Sequence, residues 1–146
     1  SLRRSASITY VNKSRSRGSR TGFEAVRIRD GAKAVLARVG EGEPRVGKYV
    51  VDLGACDVLL RALEPSDLLI IDEVGAMEAK CAGFLESARS AVSASSRAFL
   101  TVHRNYVGLV KGWGLDVLWL TRENWDVVLT EVLRKLGLLE KFSRKI

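Results

Sequence analysis

A chain of 146 residues is long enough for one domain with a buried core, and its 47% apolar share is that of a globular protein. No apolar run approaches the ~18 residues of a membrane span, and no apolar segment follows the basic N-terminus as a secretory leader requires. The net charge of +7 suggests an anionic partner only until it is mapped. Arg3, Arg4, Lys13, Arg15, Arg17 and Arg20 fall in residues 1–20, which hold no acid, and removing these six leaves 18 basic against 17 acidic residues. The excess therefore belongs to a Ser/Arg-rich arm, with a nearly neutral domain at 21–146. Such an arm is expected to stay solvated and unpacked, and any contact with nucleic acid is expected through it alone. Cys56 and Cys81 lack metal-ligand spacing and read as buried thiols of a reducing compartment, with the cytoplasm as default.

Taken in order, the arm holds one strand-like patch, Ile8-Thr9-Tyr10-Val11. Residues 23–29 and 33–39 are β-like runs around Asp30-Gly31, which predicts an antiparallel hairpin with one half-exposed face. Residues 45–53 form a third extended piece. Within it Gly42 to Lys48 fits the G-x-x-x-x-G-K half of a phosphate-binding loop. Tyr49 follows where a small hydroxyl belongs, and Val50-Val51 is a poor helix start, so this is not such a loop. A helix is expected over 55–63, ending before Pro65. The later half alternates strands at 68–71, 97–102 and 115–120 with helices at 77–95, 106–111 and from Thr121 as N-cap to the Gly137 stop. That order predicts a parallel sheet with flanking helices. Residues 138–146 read as a short helical tail. Trp113, Trp119 and Trp125 read as packing residues around the last strand and helix.

The sharpest feature is Asp67-Leu68-Leu69-Ile70-Ile71-Asp72-Glu73-Val74-Gly75. Four apolar residues without alternation suit a strand covered on both faces. The strand stops on two carboxylates and a glycine, at the end where open α/β sheets bind ligands. Adjacent strand residues point to opposite faces, so the two acids have different duties. In a nucleotide-hydrolysing site Asp72 holds Mg²⁺ and Glu73 orients or deprotonates a water.

The order Gly22-Phe23, then Arg45-Val46-Gly47-Lys48-Tyr49, then Ile70-Ile71-Asp72-Glu73-Val74-Gly75-Ala76-Met77-Glu78 resembles the THEP1-type nucleoside-triphosphatase family. Phe84, Thr101-Val102-His103 and Leu120-Thr121-Arg122-Glu123-Asn124 extend the likeness over about residues 22–136. The resemblance implies a P-loop NTPase-like α/β fold and Mg²⁺-dependent hydrolysis of ATP and other nucleoside triphosphates. It makes Asp72 the Walker B acid on the metal and Glu73 the residue that orients the attacking water. Ile71 and Val74 flank the pair, and Gly75 permits a close turn beneath the nucleotide. His103, the only histidine, follows a neighbouring strand and is a candidate for the same crevice. Arg45 and Lys48 are either phosphate contacts or a solvated hairpin face.

The family opens with a strand, a G-x-x-G-x-G-K-[ST]-[ST] loop and a helix, and no such sequence occurs in residues 1–146. Ala76 and Trp125 stand where the family has Lys and Arg. Phosphoryl transfer depends on positioning and charge, so weak or absent turnover is expected of this chain. Two rivals remain at this stage. One is a non-catalytic nucleotide- or nucleic-acid-binding remnant that uses the basic arm. The other is a small-molecule kinase on the same fold.

Overall fold

The computed structural model describes the backbone of residues 6–16, 19–28 and 30–138, with side chains from Gly22 onward. The strands are β1 (Ala6–Ser16), β2 (Ser19–Arg27), β3 (Ala32–Val39), β4 (Arg45–Val46), β5 (Tyr49–Val51), β6 (Leu68–Val74) and β7 (Arg97–Val102). They form one sheet in the order β4-β5-β3-β2-β1-β6-β7. The strands β1, β6 and β7 run parallel, and β2, β3, β5 and β4 continue the sheet antiparallel. The helices are α1 (Cys56–Ala62), α2 (Ala76–Ala79), α3 (Phe84–Ala94), α4 (Val107–Lys111) and α5 (Trp125–Lys135). None is long and apolar enough to cross a membrane.

The arm differs from expectation. Residues 6–16 form β1, an interior strand between β2 and β6, with Ala6 opposite Leu68 and Tyr10 opposite Asp72. A sheet ladder is made by backbone groups, which pair regardless of the charge on the side chains. The patch Ile8–Val11 supplies the β-branched residues at the level of Ile70 and Ile71. Residues 1–5, 17 and 18 of the arm lie outside the described residues.

Between β2 and β3 the chain turns on Gly31 (φ 73°), and Asp30 accepts from Ala32 N–H at 3.0 Å. Gly22 is obligatory for steric reasons, because a Cβ there would stand in hard contact with the Ala37 carbonyl of β3. Next to it Phe23 meets Tyr49 edge-to-face, centroids 5.0 Å apart, which joins β2 to β5. Gly47 and Lys48 form the tight turn between β4 and β5, and no helix starts there.

The core is one cluster on a single face of the sheet. Ala25, Leu36, Ala37 and Val51 meet Leu59 and Leu63, while Leu69, Ile71 and Val74 belong to the same cluster as Phe84, Ala88, Ala91 and Val92. Leu68 and Ile70 are only half-buried, so β6 is fully covered on one face and not on two as its apolar run suggested.

Four other expectations are corrected. The helix expected at 77–95 is two, because Gly83 takes a left-handed φ of 82° and Cys81 is tethered elsewhere. Residues 115–120 join no strand among the described residues, and the helix begins at Trp125, with Asn124 at the N-cap position and no side-chain cap bond, one turn after Thr121. Thr121 and Asn124 still exchange hydrogen bonds, Thr121 N–H to Asn124 Oδ1 at 2.7 Å and Asn124 N–H to Thr121 Oγ1 at 3.3 Å. Trp113 packs against the core, whereas Trp119 and Trp125 are exposed. Gly137 (φ 72°) ends α5 as expected, with Leu138 N–H donating to Leu133 O at 2.8 Å. Most of the proposed tail, 139–146, lies outside the described residues.

The cysteines are not free thiols: Cys56 and Cys81 form a disulfide, Cα–Cα 5.5 Å, across 25 residues. Closing a loop of that length stabilises by roughly 3.5 kcal/mol in the chain-entropy account. Reduction should lower the melting temperature by about 10 °C. Thiol titration in denaturant without reductant should find no free sulfhydryl, and two titrating thiols would refute the bridge.

Candidate active site

The strand β6 is interior, held by β1 on one side and β7 on the other, so its carboxyl end is fixed on both flanks. Asp72 pairs with Thr101 and Val74 with Val102, which leaves Glu73 without a partner on β7. This bulge breaks the alternation expected of adjacent residues, and both Asp72 and Glu73 are exposed. The Thr101 hydroxyl donates to Asp72 Oδ1 at 2.5 Å and holds that carboxylate in place. Ile71 and Val74 on either side are fully buried and anchor the strand end.

Gly75 then caps the short helix α2. A Cβ at Gly75 would lie 3.2 Å from Glu78 Oε1 and 3.4 Å from Glu73 Oε1, so a side chain there would press on both carboxylates. Glu78, with 4% of its surface exposed, is the buried charged residue among those described. It occupies the third position of α2, three residues after Gly75. Burial, then the Glu73 charge, pushes its pKa up to about 8, against the hold of the backbone N–H groups of Glu78 and Gly75. Three acids thus converge on one turn. Thr101 and Glu78 entered the sequence reading only as residues that carry the family resemblance, with no role in the site.

His103 N–H donates to Val74 O at 2.9 Å, which brings the end of β7 against the end of β6. The ring is exposed, and its Nδ1 accepts from Asn105 N–H at 3.1 Å, capping the turn that leads into α4. Arg45 and Lys48 are not brought here: β4 lies five strand steps from β6, roughly 24 Å along the sheet. Arg45 donates to Gly42 O at 3.3 Å and Lys48 sits over the Tyr49 ring, so both are engaged locally. No group of three or more His, Cys, Asp or Glu among the described residues is arranged to hold a metal ion by itself.

The fold is that of an α/β protein, and the exposed acids Asp72 and Glu73 stand where one of its parallel strands ends. Sequence comparison makes the class specific. The family profile described as NTPase matches residues 5–133. Over 124 residues the chain is 52% identical to the nucleoside-triphosphatase THEP1 of Pyrobaculum aerophilum, covering 84% of this chain and 72% of that protein. It is 46% identical to the protein of that name from Pyrobaculum islandicum, over 83% of this chain and 71% of the relative. Against the one from Methanocaldococcus jannaschii the identity is 36%, over 82% and 72%. No solved structure gives a significant match. The chain belongs to the THEP1-type nucleoside-triphosphatase family.

Proposed function

We propose that this chain carries the hydrolytic end of a nucleoside triphosphatase, cleaving the terminal phosphoanhydride of ATP, GTP and related nucleotides with Mg²⁺. The observation that carries the reading is the exposed Asp72–Glu73 pair at the end of interior strand β6, with Asp72 fixed by Thr101. The donor set fits Mg²⁺, which is commonly held by one or two carboxylates together with substrate phosphates and waters, not by an all-protein cage. Mg²⁺, when bound, neutralises charge on the transferring phosphoryl group. Asp72 holds it, and Glu73 orients the attacking water and accepts its proton. Gly75 and the backbone of Ile71 and Val74 shape the floor. His103 stands at the rim as a candidate contact to the nucleotide.

Among the described residues the outer edge of β7 and the run 115–120 are unpaired, and Trp119, Trp125 and Val127 are exposed. Hydrolysis is followed under single-turnover conditions, with protein in excess over γ-labelled nucleotide. Phosphate release should require Mg²⁺ and stop on chelation. Metal-independent release, or label transferred to an added nucleoside and not to water, would overturn the assignment.

A further inference from the structure

The Thr101 hydroxyl fixes Asp72, but Glu73 has no hydrogen-bond partner of that kind among the described residues. The bulge leaves it unpaired on β7 as well. A group that takes a proton from water must be held in a set direction, and a carboxylate on an exposed strand end has none of its own. Glu78 stands close enough to supply it. A Cβ added at Gly75 would meet Glu78 Oε1 at 3.2 Å and Glu73 Oε1 at 3.4 Å, so both carboxyl groups reach the one space that the glycine leaves open. The charges agree: after burial, Glu73 is the largest influence that raises the Glu78 pKa, and Asp72 is a smaller one. Glu78 is itself firmly mounted. Its side chain is buried, its carbonyl accepts from Cys81 N–H at 3.0 Å, and Cys81 is bridged to Cys56 at the start of α1.

We infer that Glu78 is a positioning residue for hydrolysis: its carboxyl group stands against that of Glu73 and turns it toward the attacking water. The inference rests on the nucleotide reading above. Two facing carboxyl groups hold one proton between them, and the buried member takes it because burial penalises its charge more. Neutral Glu78 then offers its hydroxyl to one oxygen of Glu73. The other oxygen is left to take the proton of water.

The test compares Glu78→Gln and Glu78→Met with the native chain at neutral pH. It measures single-turnover hydrolysis of γ-labelled ATP with Mg²⁺, and affinity for ATP with a non-hydrolysable β–γ bridge. Both substitutions keep the length of the side chain and both are neutral, but only glutamine offers a donor to Glu73. Glu78→Met should slow hydrolysis roughly 10–100-fold with nucleotide affinity unchanged, and Glu78→Gln should restore the native rate. A residue that served folding alone would not split rate from affinity, and melting temperatures of the same preparations check this. A native rate in Glu78→Met, or equally slow hydrolysis in both variants, overturns the positioning role and leaves Asp72 and Glu73 standing. A loss of affinity that matches the loss of rate overturns it too. If Glu78→Met does not fold, Gly75→Ala decides. The backbone there is extended (φ −155°), so an added methyl group disturbs the two carboxyl groups and not the chain. It should slow hydrolysis with affinity kept, and a native rate would overturn the inference. A native chain that neither binds nor hydrolyses Mg-ATP removes the nucleotide reading itself, and the positioning role with it.

Discussion

Glu73→Gln is expected to leave Mg-nucleotide affinity nearly unchanged and to cut single-turnover hydrolysis by ~10²–10⁴-fold. The substitution keeps size and hydrogen bonding and removes only the capacity to accept a proton. Asp72→Asn should behave differently. It removes the charge proposed to hold Mg²⁺ while retaining an oxygen that accepts from Thr101, so nucleotide binding should lose its metal dependence. The two variants share a strand end and an exposed environment, which makes the contrast a fair one. Binding and hydrolysis measured on the same preparations decide between roles. Small, equal effects would reduce the pair to an acidic turn. A large affinity loss in Glu73→Gln with normal turnover would reverse the assignments.

The second large effect concerns stability and pH. Glu78 is buried, and its pKa in the fold is pushed up to about 8, above its ordinary value of 4.5. The folded chain therefore keeps a proton that the unfolded chain releases. The associated stability is fully present below about pH 4.5 and is lost as pH rises through about 8. Three to four pH units at 1.36 kcal/mol each bound the effect at ~5 kcal/mol. In metal- and nucleotide-free buffer the melting temperature should fall between pH 5 and 8.5. Glu78→Gln, which keeps the size of the side chain and cannot ionise, should lose most of that fall. If both proteins show the same pH dependence, Glu78 is not the group responsible.

Much of the site was legible because it is local. An apolar run ending on Asp72-Glu73-Val74-Gly75 places two acids at a strand end whatever surrounds it. Apolar runs likewise located β6 and β7, the stretch before Pro65 located α1, and Asp30-Gly31 marked the turn between β2 and β3. Thr101 was not legible as a partner of Asp72. Its hydroxyl matters only because β6 and β7 pair in a register that sets residues 29 apart side by side. The bulge at Glu73 is invisible for the same reason.

What the sequence determined by itself was the pair of acids at one strand end and the family to which the chain belongs. Both are carried by residues adjacent in the chain. Tertiary structure alone decided that β1 is an interior strand, since backbone ladders form between segments far apart and do not respond to the charge of an arm. It decided that Cys56 and Cys81 are joined, because only the packing of α1 against the sheet and α3 brings residues 25 apart in sequence to a Cα separation of 5.5 Å. It also decided that 115–120 is no strand. Its apolar residues favour extension, but a strand needs a neighbour with which to exchange hydrogen bonds, and the described residues provide none.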